Sequence, residues 1–256
     1  MSDIISDLKR NHIHRLASAG KRIGGRAPDE FRPVKIEKGT IGSAEGSARV
    51  HLGNTDVLIG IKMDLGEPYP DTPNKGVLTT AAELIPMASP NFEPGPPRED
   101  AIELARVVDR GIRETQTVDL EKLCIEPGEK VWILFLDMHI LDYDGNLFDA
   151  CSYGVLGALT DTTVPASRIE QEDFKLEVQH QPVSVTAAKI GDSVFLDPSL
   201  DEERIADARL TVAIDENGDI RAMQKGLNGS FTFDEVKKVI DMARKAGDEL
   251  RPKIVG

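Results

Sequence analysis

The 256-residue chain holds two cysteines, Cys124 and Cys151, so no disulfide framework is available to it. That scarcity points to a reduced, cytoplasmic compartment. Its longest unbroken apolar run, Val131–Leu136, is six residues, against the roughly 20 that a membrane span needs. The first twenty residues carry Asp3, Asp7, Lys9, Arg10 and Arg15 and do not form a secretory apolar core. Aromatics are few, with one Trp, three Tyr and eight Phe, which disfavours base stacking on an aromatic platform as a main binding mode. Positive charge is in deficit: Lys and Arg number 31 against 44 Asp and Glu, for a formal charge of −13. A chain this acidic is a poor polyanion binder as a whole.

Several chemical signatures are missing too. Gly20–Arg26 is glycine-rich and basic but lacks P-loop spacing, and no G-x-G-x-x-G follows a strand. No Cys/His set has zinc spacing. His12 and His14 lie two apart, so on a helix they point to different faces and cannot share a metal. No nucleophile elbow marks a Ser-His-Asp triad.

What is present is a folded core. Hydrophobic residues make up 40% and charged residues 29%, ordinary values for a globular chain. Asp3–Ala19 reads as a helix capped by Ser2 or Asp3, with Ile5, Leu8 and Leu16 on one side and Gly20 as its stop. Ser47–Leu52 and Thr55–Met63 read as strands joined at Gly53-Asn54, and Val77–Leu84 as a third. The proline-rich stretch Pro86–Pro97 reads as an irregular loop. Lys130–Leu141 predicts a long strand, Asp144-Gly145 a turn, and Asp149–Thr163 a helix capped by Asp149 and packed closely through Gly154, Gly157 and Ala158. After a polar connection at Pro165–Gln181 the pattern repeats. Strands are expected at Val183–Ile190, Val194–Leu196, Leu210–Ile214 and Ile220–Gln224. A last helix opens with the capping box Thr232-x-x-Glu235, and Phe233, Val236, Ile240 and Ala243 form its apolar side. Strands followed by helices in each half predict an α+β fold. The expected division is an N-terminal helix and basic loop at 1–30, a first half at 31–165 and a C-terminal half at 183–250.

Two charge features stand out. Between Lys9 and Lys35 eight basic residues face two acids, either as a solvated face, a partner contact or a nucleic-acid contact. On the predicted helix Glu99–Glu114, Ala101, Ala105, Val108 and Ile112 form a core stripe, and Arg106, Arg110 and Arg113 repeat it one residue later. One residue is about 100° of turn, so the arginines lie on the shoulder of that stripe. By spacing alone they belong to a salt-bridge network, with Glu103 in reach of Arg106 and Asp109 in reach of Arg106 and Arg113.

Five segments in order carry a family resemblance. Arg22-Ile23-Gly24-Gly25-Arg26 with Phe31-Arg32-Pro33 resembles the opening R-x-D-G-R…R-P of the RNase PH family. Gly46-Ser47-Ala48…Gly53-Asn54-Thr55-Asp56-Val57-Leu58 resembles its G-S-x…G-x-T-x-V-L hairpin. Glu99–Arg113 is similar to its arginine-bearing helix, Asp144-Gly145 to its D-G-G turn, and Ala187-Ala188-Lys189-Ile190-Gly191 to its A-A-x-x-x-G strand.

The resemblance implies an RNase PH-like fold (ribosomal protein S5 domain 2-like) of two similar sheet-plus-helix halves. It also implies a setting of phosphorolytic 3′→5′ RNA degradation, in which inorganic phosphate attacks the terminal phosphodiester and releases a nucleoside diphosphate. Active members place a phosphate-binding arginine just after D-G-G; here that position is Phe148. The essential acid of their T-D-M motif aligns with Arg209, although Glu203 keeps another acidic position. This pattern is similar to the non-catalytic RNase-PH-like subunit of the archaeal exosome. It implies a catalytic RNase-PH-like partner, three such pairs in a hexameric ring, S1/KH-type RNA-binding cap subunits, and single-stranded RNA as ligand. It implies no catalytic residue, metal or cofactor in this chain. Arg106 and Arg110 are then the expected RNA contacts, with Arg113 second and Arg98 facing the pore. Two alternatives remain open from sequence. One is a shifted active site using Arg98 for phosphate and Asp197 or Glu203 as acid. The other is a homomeric RNA-binding scaffold.

Overall fold

In the computed structural model, which describes residues 2–256, two antiparallel-rich sheets enclose one buried helix. The side chains of residues 2–8 lie outside the described part, and with them the expected apolar contacts of Ile5 and Leu8 and the cap at Ser2 or Asp3. The chain begins with helix α1 (Ser2–Ser18) and a loop. Then come β1 (Val34–Lys38), β2 (Gly46–Leu52), β3 (Thr55–Gly66), β4 (Val77–Leu84), helix α2 (Glu99–Glu114), β5 (Cys124–Glu126), β6 (Lys130–Asp142) and helix α3 (Leu147–Asp161). Short strands β7 (Thr163–Val164) and β8 (Phe174–Lys175) lie in the connection. The second part holds β9 (Val183–Ile190), β10 (Ser193–Leu196), α4 (Leu200–Ile205), β11 (Ala208–Ile214), β12 (Ile220–Gly226) and helix α5 (Phe233–Val255).

The first sheet runs β1-β2-β3-β6-β4, with β5 also on β6. The β4 and β6 strands are parallel, and α2 lies in the connection between them. The second sheet runs β10-β9-β11-β12, all antiparallel. The α+β reading holds.

Helix α3 sits between the sheets, and every residue from Leu147 to Leu159 is buried. A helix apolar all round can exist only in such a place. Its small residues set the approach distance. A Cβ on Gly154 would lie 2.5 Å from Ile59 Cγ1 on β3 and 3.3 Å from Val50 on β2.

The alternating side chains of β2, β3 and β6 supply one wall of the core, and Val183, Val185, Val212 and Ile214 the other. A satellite cluster seats α1 through Ile13 and Ala17 on Ile190, Phe195 and Ile205, with Leu16 only half-buried. The capping box at Thr232 and Glu235 forms as expected. Phe233, however, is 73% exposed instead of core. It occupies the first helical position, off the stripe of Val239, Ala243, Leu250 and Ile254 that meets the sheet.

Gly154→Ala would gain about 1 kcal/mol in an exposed helix. Here we expect a loss of about 1–3 kcal/mol from overpacking against Ile59, measurable as a lower denaturation midpoint with unchanged m-value.

Candidate functional site: a pocket beside an arginine-edged helix

The α2 helix buries Ala101, Leu104, Val108, Gly111 and Ile112, and leaves Arg106, Arg110 and Arg113 exposed at its edge. The three arginines do not act alike. Arg113 turns toward β4, where Nη2 donates to the Leu78 carbonyl (3.1 Å) and to Asp109 (2.8 Å). Its bonds to Asp109 raise its pKa and commit it to the fold. Arg110 turns the other way, and its Nη1 donates to Gln224 Oε1 on β12 at 2.8 Å. Arg106 lies in the same shallow groove as Arg110 and Gln224, and no hydrogen bond or ion pair engages it among the described residues. Arg98 stands at the N-cap position of α2, pairs with Glu93 and lines a separate proline-rich cleft. The structure therefore brings Arg106 and Arg110 together and sets Arg98 and Arg113 apart. Gln224 carries no motif that sequence reading could have used.

The expected helical ion-pair network forms only in part. Asp109 takes Arg113 and also accepts from Thr80 Oγ1. Glu103 leaves its helix neighbour Arg106 and accepts instead from Arg209 Nη2 at 2.6 Å.

Beside this groove lies the N-terminus of α3, whose free amides are suited to an anion. The approach turn uses Gly145 (φ 94°) and Asn146 (φ 59°) in left-handed conformations. A Cβ on Gly145 would meet Leu200 N at 2.5 Å, so only glycine fits. The Asn146 amide donates to Glu203 Oε1 (2.9 Å), and the Tyr143 hydroxyl donates to Glu203 Oε2 (2.7 Å). A carboxylate of the chain itself thus occupies the electropositive helix end. Burial pushes the Glu203 carboxyl above its ordinary range, against the pull of the Tyr143 and Asn146 bonds.

Phe148, only 7% exposed, stacks under the Arg209 guanidinium, whose Cζ lies 4.0 Å from the ring centroid. Phe148 and Arg209 are thus direct neighbours. The remaining cavity, about 240 Å³, is walled by Phe92, Tyr143, Phe148, Glu203, Arg204 and Arg209.

Asp149 is not the helix cap. Asn146 takes that position, because the left-handed turn starts α3 two residues early. Asp149 therefore points inward and is fully buried. It accepts from Thr186 N (2.9 Å), Thr186 Oγ1 (2.7 Å) and Asn146 Nδ2 (2.8 Å). Burial pushes its carboxyl up to about 7, opposed by those bonds.

The basic N-terminal stretch has a structural role for three of its arginines. Asp197 accepts from Arg32 Nε (2.9 Å) and Nη2 (2.7 Å), Arg26 Nη1 (2.8 Å), Arg32 N (2.8 Å) and Asn146 Nδ2 (2.9 Å). Arg22 forks onto Glu202 through Nε (2.8 Å) and Nη2 (2.6 Å). Burial alone would raise both carboxyls, yet Arg32 holds Asp197, and Arg22 holds Glu202, below the usual range. Asp197 thus has no free oxygen to serve as an acid, which removes it from the shifted active site considered above.

Among the described residues, one group has ligand-like proximity: His180, Asp215 and Glu216. Its oxygens are already engaged. Asp215 accepts from Arg221 and from the amides of Asn217 and Asp219, while Glu216 accepts from the Gln181 amide and pairs with His180. The group reads as a braced turn.

Two predictions follow from the buried carboxylates. Asp197→Asn should cost about 3–5 kcal/mol in chemical denaturation, because Arg26 and Arg32 lose their buried anion. Asp149 acts in the opposite pH sense. Its folded pKa lies above the unfolded value of about 3.9, so the native state binds the extra proton, and stability falls as pH rises from about 4 toward 7. Asp149→Asn should therefore gain stability relative to the native chain between pH 5 and pH 7; parallel stability–pH curves would contradict this.

Comparison with known proteins agrees with this geometry. Domain models of the 3′ exoribonuclease family match residues 30–165 (RNase PH, domain 1) and 180–246 (domain 2). The chain is 54% identical to the exosome complex component Rrp42 of Thermoplasma volcanium, across 98% of this chain and 97% of that one. It is 51% identical to that of Thermococcus kodakarensis, across 99% and 96%. Among solved structures it is similar to a chain of the Archaeoglobus fulgidus exosome with RNA bound to the active site, with TM-score 0.95 and 49% identity over 98% and 99% of the two chains. It is also similar to a chain of an archaeal exosome core, with TM-score 0.92 and 44% identity over 100% and 99%. With both family models matched in order and relatives above 50% identity end to end, the chain belongs to the RNase PH branch of the 3′ exoribonuclease family.

Proposed function

We propose that this chain is a non-catalytic component of an archaeal exosome, which completes the RNA site of a catalytic homologue. The single observation that carries the reading is the contact between Phe148 and Arg209. Phosphorolysis needs a phosphate held by helix amides and a cation, and an acid near the leaving group. Phe148 offers no donor, Arg209 puts a cation where the family places the acid, and Glu203 fills the helix end. A phosphate dianion would have to displace the Glu203 carboxylate, and Arg209 is already engaged by Glu103 and Phe148.

In this reading the chain pairs with a catalytic RNase-PH-like subunit, three pairs close a hexameric ring, and S1/KH-type subunits cap it. Arg106 and Arg110 project from the groove beside Gln224 and hold RNA phosphates at the neighbour's site. Arg113 and Arg98, engaged by Asp109 and Glu93, contribute less. The relatives named as exosome components, and the neighbour solved with RNA, support this assignment.

The isolated chain, given single-stranded RNA, phosphate and Mg²⁺, should release no nucleoside diphosphate, whereas the complex with its catalytic homologue should. Robust release by this chain alone overturns the reading. A stable RNA-binding homohexamer in light scattering would favour a homomeric scaffold instead. Arg106→Glu with Arg110→Glu should leave the assembly's mass unchanged. It should weaken RNA binding and flatten its salt dependence by about one unit of slope per lost contact.

A further inference from the structure

Glu103 and Arg106 are three residues apart on α2, the spacing at which a carboxylate and a guanidinium ordinarily pair. They do not pair. Glu103 Oε1 instead accepts from Arg209 Nη2 on β11 at 2.6 Å. Two features hold Arg209 in that pose. Its guanidinium lies 4.0 Å over the Phe148 ring. Its cross-strand partner is Gly226, and a Cβ there would stand 2.6 Å from Arg209 Nη2, so the absent side chain opens the lane the arginine uses. Its Nε is buried without a partner, a cost that works against the pose.

We infer that Arg209 is a positioning residue for Arg106: by drawing Glu103 away, it keeps the Arg106 guanidinium unpaired and available to an RNA phosphate. This rests on the proposed RNA contact of Arg106. It also assigns a task to the residue standing where the family has an acid. Without Arg209, Glu103 returns to the helix face as a carboxylate. There it competes with RNA for Arg106 and repels the phosphates directly. An exposed helical ion pair accounts for about a twofold loss. A like charge about 6 Å from a phosphate in water accounts for a further two- to threefold.

The competing explanation is that the Arg209–Glu103 pair merely ties β11 to α2. The two differ in the response to Glu103→Gln, which weakens the tie but removes the competing charge. The test uses the complex reconstituted with the catalytic homologue, in phosphate-free buffer. The affinity for a single-stranded RNA oligonucleotide is measured by fluorescence anisotropy across a salt series.

Arg106→Ala comes first; if it leaves affinity and salt slope unchanged, the RNA contact itself is wrong. Given a loss there, Arg209→Met, which keeps an unbranched side chain over Phe148, should weaken binding about three- to sixfold and flatten the slope by about one. Adding Glu103→Gln should restore affinity to within about twofold. An Arg209→Met complex that binds like the native one overturns the inference and leaves the Arg106 contact standing. So does a double variant no better than Arg209→Met. If Arg209→Met does not assemble, Gly226→Ala displaces the same guanidinium without changing charge and carries the same two expectations.

Discussion

The buried carboxylate of Asp197 is the point on which the site's geometry depends. It binds Arg26 and Arg32 from the N-terminal loop and Asn146 from the head of α3. Arg32 in turn donates to the Asp144 and Gly145 carbonyls, so loop, turn and helix are fixed by one anion. Isolated charges of this kind are costly inside a protein, and the arrangement persists because each oxygen has multiple donors. Remove the anion and the left-handed turn at Gly145-Asn146 loses its support. The Asn146 amide that meets Glu203 would lose its direction with it.

Around that frame the side chains of the pocket pair with one another. Glu203 accepts from the N-cap amide of Asn146, Tyr143 caps its second oxygen, and Arg209 lies on Phe148 while reaching Glu103. Phe148 and Arg209 thus form one packed pair with a cation–π contact. Their consequence extends to α2, because Glu103 is drawn from the helix whose arginines edge the groove.

The charge balance of the chain takes on a local meaning. Of the basic residues near the N-terminus, Arg22, Arg26 and Arg32 are internal ion-pair partners, with Arg22 and Arg32 buried. Three of the eight basic residues in the cluster that looked like a candidate nucleic-acid face thus form a clamp. On α2 Arg106 and Arg110 reach solvent, as Arg10 and Arg15 do on α1, while Arg113 is held by Asp109 and Leu78. Composition counts charges, but burial and pairing decide which are available.

Sequence alone determined the periodic elements: the α2 stripe, the hairpin at Gly53-Asn54, the small-residue helix and the capping box at Thr232. These are local patterns of turn chemistry and of side chains facing one core, written within a few residues of each other. Tertiary structure decided what sequence spacing could not. Asp149 turned inward because a left-handed turn advanced the helix start. The short β1 and α4 went unread in the sequence. Glu103 met an arginine 106 positions away instead of one three positions away, and Arg110 met Gln224 at a separation of 114. Contacts across such distances depend on how two sheets close around α3, and that closure is a property of the assembled core, not of any segment within it.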